Sequence, residues 1–560
     1  MADDVTAGTA GTAGAVRADP PRLLSATLLM SSGTVVSRVL GFARVLLVGN
    51  LLGNNSRQGT IFAVATTVPT SLYMLLAGGA LNVVLVPQLV RHLKEDADGG
   101  EAYTNRIVTA FLLFVAAAAV LLTAASPLVT AVYSDAQWRL NADLAAQYRS
   151  MVLLTTLCLP QIFFWGMFFV GGQILNARGS FGPMMWAPVV NNVVQVAVLG
   201  MYAVIWGFNT DTSGPFSNTQ LLVLGVGSLL GVVAQAVTLW LFMKRVGFRY
   251  RPRFDLVGTG LGKTFSIAKW TLGLVVLGEI GSWLFTQVGS SAVIGGSGAG
   301  NLVYETAALI ALLPHSLITI SITTALFPSM SHRAASGDYL GLAGLLTRGI
   351  RLSVTVVFPL ALLLIALGVP ISTLFYSPEK GGVLVGWTLS ILGANLLAYT
   401  FQFLILRACY SLEDTQTPFW ATVVFEVVRI SAVLLAFLGF GVAPDSVAPT
   451  LAGCYTLACV VQTAWAMRRL HRKVPAIAFA DTVAFAGKVL LASIPGAAAA
   501  WGICQLQAAH WAGFGAQFLG LAVAGISALA IFLVAAKLLR IAEVWASVAA
   551  VLNKLRRAAL

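Results

Sequence analysis

The sequence predicts an all-α polytopic membrane protein of about fourteen transmembrane helices: two pseudo-symmetric six-helix lobes plus two C-terminal helices. Three observations carry that expectation. Of 560 residues, 58% are hydrophobic and only 10% are charged, against about 25% charged in a soluble domain. Too few charges remain to coat a water-facing surface, which excludes a soluble enzyme. Residues 151–175 and 221–243 contain no charged side chain, and each is longer than the ~20 residues a spanning helix needs. Finally, Lys and Arg gather in alternate connections between apolar segments, the pattern of a chain threaded repeatedly through a bilayer.

Hydropathy, punctuated by Gly, Pro and charge, places the spans at 24–52, 59–90, 107–133, 150–176, 183–207, 219–243, 267–294, 299–331, 345–375, 383–408, 416–441, 447–467, 484–506 and 513–536. The basic connections are 91–106, 244–263, 333–351, 468–473 and the tail from Lys537. With both termini in the cytoplasm, only Arg57, Arg139, Arg149 and Lys380 fall outside. Arg38, Arg44, Lys269, Arg429 and Lys488 lie in or at the edge of spans, and the rest of the 34 Lys and Arg face inward. Anionic headgroups account for the net charge of +13, so no nucleic-acid partner is expected.

The expected organisation is a disordered cytoplasmic tail (1–23), an N-lobe (24–245, spans 1–6) and a basic linker (246–266). A C-lobe follows (267–473, spans 7–12), then spans 13–14 (484–540) and a basic cytoplasmic tail (541–560). An internal repeat supports two lobes. Val68-Pro69-Thr70-Ser71-Leu72 in span 2 resembles Leu313-Pro314-His315-Ser316-Leu317 in span 8. Val86-Pro87-Gln88 matches Phe327-Pro328-Ser329, and the turn ending at Pro183 matches the one ending at Pro418. Six spans separate the copies, so both run the same way across the membrane. That is the parallel repeat of a two-bundle transporter.

Ionisable residues inside hydrocarbon are expensive and therefore informative. Arg38 lies 14 residues from either end of span 1, about 21 Å at 1.5 Å per residue. Its guanidinium cannot snorkel that far. Arg44, six positions on, is about 120° around and 9 Å along the helix, so the two can line one wide aqueous cavity but not one narrow seam. Gly41 between them permits a bend or a close approach. Arginine stays charged and pairs bidentately with phosphate, which points to an anionic, phosphorylated headgroup. The alternative is a structural ion pair with Glu279 or Glu426 from another span.

Glu279, mid-span in the seventh helix, is a candidate coupling site for Na⁺ or H⁺, with a structural ion pair as its rival. Glu426 and Arg429, spaced i,i+3, read as a pair that neutralises itself. Asn191, Asn192, Asn395 and Gln402 suit interhelical hydrogen bonds or cavity lining. The five cysteines (Cys158, Cys409, Cys454, Cys459, Cys504) read as buried small hydrophobes, and the five histidines make no metal-ligand pair at helical spacing. No motif for metal, nucleotide or nucleophilic chemistry is present, so no cofactor and no enzymatic activity is expected.

The string Ser37-Arg38-Val39-Leu40-Gly41-Phe42-Ala43-Arg44 resembles the span-1 signature of the MurJ (MviN) family, the lipid II flippases of bacterial peptidoglycan synthesis. Agreement continues through Gly79-Ala80-Leu81, Val86-Pro87, Gly172-Gln173-Ile174-Leu175-Asn176-Ala177-Arg178 and Ala187-Pro188-Val189-Val190-Asn191. It extends to Arg407-Ala408-Cys409-Tyr410, Asp414 and Thr417-Pro418, covering about residues 24–540. The family belongs with multidrug and oligosaccharidyl-lipid exporters. The resemblance implies a plasma-membrane flippase working by alternating access, with lipid II and membrane lipids as partners and cell-wall synthesis or division proteins as further candidates. It implies a central cavity in which Ser37, Arg38 and Arg44 meet the diphosphate-sugar headgroup, and a polyprenyl-tail groove at spans 13 and 14. Direction would come from Na⁺, H⁺, the membrane potential or downstream consumption.

This chain departs from the family pattern at four places. Val45 stands where many members have Asp, Tyr73 or Met74 where they have a span-2 arginine, Leu309 near a span-8 arginine, and Thr60 at an acidic position. Rival readings are an exporter of another polyprenyl-diphosphate glycan or of cationic drugs, a membrane peptidoglycan glycosyltransferase, and a scaffold for cell-wall enzymes.

Overall fold

The structure, a computed structural model, describes residues 20–78, 92, 95–96, 98–180, 182–208, 211–255 and 261–545, with side chains omitted for 20–31, 77–78 and 261–272. The tail 1–19, the matches at Gly79-Ala80-Leu81 and Val86-Pro87-Gln88, linker residues 256–260, the Lys269 side chain and the tail 546–560 lie outside them. Every regular element described is helical. In the N-terminal half these are α1 (Pro20–Leu52), α2 (Arg57–Tyr73), α3 (Glu101–Ala124), α4 (Ser126–Tyr133), α5 (Ala145–Cys158), α6 (Gln161–Ala177), α7 (Gly182–Trp206) and α8 (Asn218–Met243). The C-terminal half contributes α9 (Leu261–Ser291), α10 (Asn301–Pro314), α11 (Ile320–Ala335), α12 (Tyr339–Phe375), α13 (Gly382–Ser411), α14 (Gln416–Leu434) and α15 (Val447–Lys473), followed by α16 (Phe479–His510) and α17 (Phe514–Leu538).

Among the described residues, thirteen helical segments are long and apolar enough to cross a membrane. α9, with 31 residues and hence about 46 Å long, completes the expected set of about fourteen. The ends follow local chemistry. Ser56 caps α2 by accepting from the Gly59 amide at 2.9 Å. Ser217 and Gln220 form a reciprocal capping box at the start of α8, satisfying amides that a helix start leaves bare. Spans 3 and 4 are each broken once, at Ala125 before Pro127 and at Leu159-Pro160, because proline lacks an amide hydrogen and its ring crowds the preceding turn.

The repeat is visible in the backbone. In span 2, Pro69 precedes a π-helical turn at Met74–Gly78, and in span 8, Pro314 precedes another at His315–Thr319. A proline in mid-helix removes one rung of the i→i−4 ladder, and a wider turn accommodates the slip. Pro183 and Pro418 both sit in the first turn of their helices, α7 and α14, where the missing amide costs nothing.

Within the first half α7 packs against α1 and α8, and α6 against α8. In the second, α12, α13 and α15 pack in series, α14 lies against α9 and α15, and α16 and α17 pair against α12. Three of the expected segments carry structure at their ends. Helix α1 starts at Pro20, inside the expected disordered segment 1–23, because proline suits the first helical position. The start of the expected linker is not free: residues 248–255 lie along α3, with Phe248 buried and the Arg251 amide donating to Asn105 Oδ1 at 2.9 Å. The start of the expected basic tail is also docked, with Ile541 and Val544 buried and Glu543 accepting from Arg351 at 3.0 Å.

Candidate functional site

Helix α1 carries the candidate site. It runs unbroken through Gly41, and a Cβ there would meet only Asn192 at an ordinary 3.7 Å. The close approach occurs instead at Gly33, where a Cβ would come within 2.8 Å of Trp186 on α7. Asn192 fixes the register above that crossing, donating to the Ser37 carbonyl at 2.9 Å and to its hydroxyl at 3.2 Å.

Ser37, Arg38 and Arg44, the residues expected to meet a headgroup, line one cavity of about 480 Å³. Gly41 and Val45 share its α1 wall, Phe168, Met185, Pro188 and Asn192 come from α6 and α7, and Leu309 and Leu313 come from α10 in the other half. Arg38 is exposed to the cavity and Arg44 half-buried. Among the described residues no carboxylate lies within 4 Å of either guanidinium. Of the two carboxylates expected as ion-pair partners, neither touches these arginines, and Glu426 is committed elsewhere. Glu426 accepts from Arg429 Nε at 2.9 Å, in a pair that is nearly inaccessible, with side chains 5% and 8% exposed. Phe285 and Phe425 face the Arg429 guanidinium at 4.8 and 5.2 Å.

Glu279 does not line this cavity. It lies half-buried in α9, with Ser71 as its polar neighbour, Arg429 within electrostatic reach and its Oε2 without a hydrogen-bond partner. The amides divide between the two expected uses. Asn191 donates to Gln235 at 2.9 Å between α7 and α8. Gln402 donates to Gln462 and accepts from Cys459 between α13 and α15. Asn192 both lines the cavity and braces Ser37, whereas Asn395 Oδ1 has no partner. All five cysteines are buried and unpaired.

Sequence reasoning passed over Glu305. It stands on α10, one turn before the cavity-lining Leu309, accessible to solvent yet ringed by protein. Thr67 of α2 donates to its Oε1 at 2.8 Å, and Arg44 attracts it across more than 4 Å. The signal was an acidic residue inside a predicted span. It falls so close to the start of that span that the sequence alone allows it to reach the interface.

One end of the cavity is sealed where the two halves meet. The loop between α1 and α2 pairs with its repeat-equivalent between α9 and α10: Ser56 and Ser297 form a β-bridge, and the Gly298 amide donates to the Asn55 carbonyl at 3.1 Å. Asn54 donates to the Lys380 carbonyl at 3.2 Å and accepts from Thr306 at 2.9 Å. Arg57 donates to the Ile294 and Val293 carbonyls at 2.7 and 3.3 Å, just past the C-terminus of α9. Trp138 and Trp283 add indole bonds to the Ser290 and Val132 carbonyls. At the other end Arg38, Val35 and Val39 of α1 and Leu317 and Ile320 opposite are exposed.

A second, apolar recess of about 390 Å³ lies between α12, α16 and α17, lined by Pro359, Leu363, Ala497, Ala528, Phe532 and their neighbours. Gly496 lets α16 and α17 touch there, since a Cβ would stand 2.7 Å from the Ala528 carbonyl.

The profile of the lipid II flippase MurJ family matches residues 48–519, beginning four residues after Arg44. A probable lipid II flippase MurJ of Haemophilus influenzae is 24% identical over 490 residues, 84% of this chain and 90% of that protein. A lipid II flippase MurJ of Burkholderia cenocepacia is 25% identical over 419 residues, 71% and 75% of the two chains. Among solved structures, a lipid II flippase MurJ in an inward closed conformation superimposes with a TM-score of 0.69 at 16% identity, covering 91% of this chain and 98% of that one. An inward-facing multidrug MATE transporter of the MOP superfamily gives 0.60 at 15% identity, covering 80% and 98%. Those two likenesses establish the fold. Together with the profile and the curated relatives they conclude the point: this multi-pass membrane chain belongs to the MurJ family of lipid II flippases, which are transporters and not enzymes.

Proposed function

We propose that this chain moves lipid II from the inner to the outer leaflet of the bacterial plasma membrane by alternating access, with Ser37, Arg38 and Arg44 holding the diphosphate-sugar headgroup. The observation that carries this reading is the pair of guanidiniums lining one cavity with no carboxylate in contact among the described residues. A diphosphate supplies what they lack, and arginine binds its oxygens in a fixed planar fork. With both termini cytoplasmic, the sealed end faces outward and the cavity receives lipid from the inner leaflet. The recess between α12, α16 and α17 suits a polyprenyl tail, which stays in hydrocarbon while the headgroup crosses.

Energy coupling at Glu279 rests on an Oε2 that has no hydrogen-bond partner. Transport by Glu279→Gln with undiminished ion dependence would remove that role. Drug export is disfavoured because the first-half wall of the cavity carries arginines and no acidic residue. The test is depletion followed by assay of the leaflet that holds lipid II. Accumulation inside supports flipping, and an unpolymerised outer pool points to a polymerase. Arg38→Ala should abolish flipping while the protein still inserts, and normal flipping by that variant would refute the site.

A further inference from the structure

The cavity does not present its two positive charges unopposed. Arg38 and Arg44 together carry +2, and Glu305, on α10 of the opposite half, adds one negative charge within electrostatic reach of Arg44. A diphosphate diester carries −2. With Glu305 ionised, the loaded cavity would hold a net −1 inside a membrane protein. With Glu305 protonated, the sum is zero. Uncompensated charge in a low-dielectric interior is strongly disfavoured, and a like charge nearby pushes a carboxyl towards its neutral form.

The surroundings of Glu305 allow it to change state. Thr67 donates to its Oε1, and a hydroxyl can equally accept from a protonated carboxyl. Of the helices packed against α10, α1 presents Arg44 and α2 presents Thr67. Arg429 of α14 acts instead on the neighbouring Tyr304, and Tyr399 of α13 acts on Tyr455 of α15. Among the described residues, neither Glu279 of α9 nor any charged group of α12 acts on Glu305. Solvent reaches Glu305, so a proton can too.

We infer that Glu305 is a positioning residue that takes up a proton as the diphosphate binds, so that headgroup and proton enter the cavity together. The proton comes from bulk water and rests on a Glu305 carboxyl oxygen; no bond in the lipid is made or broken. In the empty cavity the same carboxylate attracts Arg44 without touching it. The entering anion replaces it there, and Glu305 is neutralised rather than left facing a diphosphate. This deepens the headgroup site proposed above and rests on it.

The test uses the full chain in lipid nanodiscs and, as probe, farnesyl-diphospho-N-acetylglucosamine, a diester whose phosphates do not titrate between pH 5.5 and 9. Calorimetry in two buffers of different ionisation enthalpy counts protons taken up per ligand. The wild type should take up close to one proton at the alkaline end of the range. Its affinity should fall there by up to tenfold per pH unit, the limit for one linked proton. Glu305→Gln should take up none and bind with flat pH dependence, and Glu305→Asp should restore uptake. Should the Gln variant fold poorly, Thr67→Val serves instead: loss of a donor to the ionised form should move the uptake to higher pH. Proton uptake that persists in Glu305→Gln, or none by the wild type at any pH in the range, overturns the inference while leaving the arginine site standing. Absence of probe binding by the wild type overturns the arginine site, and this inference with it.

Discussion

Removing Arg57 should unlatch the sealed end of the cavity. Its guanidinium makes two bonds across the interface between the halves, to the Ile294 carbonyl at 2.7 Å and the Val293 carbonyl at 3.3 Å. The bonded carbonyls follow the C-terminus of α9, where the helix dipole favours a cation. A hydrogen bond involving a charged group contributes about 1.5–3 kcal/mol. The longer bond is weaker and Arg57 is half-buried, so about 2 kcal/mol is a fair sum for both after solvent screening. That corresponds to about a 30-fold shift of the equilibrium towards separation of the two loops. Arg57→Met keeps the unbranched stem as far as the Nε position and deletes every donor. The assay is pulsed electron spin resonance between labels at Ser213→Cys and Asp445→Cys, both exposed on the two halves at this end; the native cysteines are buried and will not label. The variant should populate a longer distance at the expense of the short one. An unchanged distribution would refute the view that Arg57 holds this face shut and would shift the burden to Asn54 and the backbone bonds.

Three further outcomes follow from the packing. Gly281→Ala places a methyl on the Arg429 guanidinium and the Glu426 carboxylate; separating a buried pair costs about 3 kcal/mol or more, seen as a large fall in thermal stability in detergent. Gly496→Leu forces α16 from α17 at the Ala528 carbonyl, so flipping of long-chain lipid should fall while binding of a short-chain diphosphate analogue is retained. Asp414 links the α13–α14 turn to the end of α15, accepting from Lys473 at 2.6 Å and from the Thr417 amide at 3.1 Å. Burial opposes its ionisation, but the bonds from Lys473 and Thr417 outweigh that and hold its carboxyl below the ordinary value of 3.8. A depressed carboxyl stabilises the fold fully above its unfolded value and loses that contribution as pH falls below it. Asp414→Asn should therefore be less stable than the wild type at pH 7, by about 1–2 kcal/mol, and the gap should close as the pH is lowered through and below 3.8.

The spans were legible because the bilayer imposes a length and a composition that the chain must meet locally. The proline matches of the repeat were legible too, and each proline is followed by a π-turn, five residues after Pro69 and directly after Pro314. The breaks at Pro127 and Pro160 were hidden inside continuous hydropathy, which counts apolar residues and not ladder hydrogen bonds. The candidate site was half legible. Arg38 and Arg44 stand out because their depth makes them costly, whereas Glu305 sits about one turn into its helix, where depth alone decides nothing. Its importance comes from Thr67 and Arg44, which are remote in sequence. The sealed end was not legible at all, because most of its bonds end on backbone carbonyls such as Ile294, Lys380 and Asn55, which every sequence supplies.

The strongest reason to read Arg38 and Arg44 as functional is the treatment the same chain gives Arg429. That guanidinium is also within a span, and the fold satisfies it from every side: a carboxylate three residues earlier on its own helix, two aromatic faces and a backbone carbonyl on α9 at 3.4 Å. One acidic substitution at i−3 or i−4 on α1 would have done as much for Arg38 or Arg44, but Thr34, Val35, Leu40 and Gly41 occupy those positions. The site departs from self-sufficiency where the membrane makes that most expensive, and its one nearby counter-charge among the described residues, Glu305, belongs to the other half of the molecule. An anion that fills the cavity therefore acts on both halves at once: it pairs with the α1 arginines and competes with the attraction between Arg44 and Glu305 of α10. A site paired within its own helix, as Arg429 is, would give the ligand no such purchase on the arrangement of the halves.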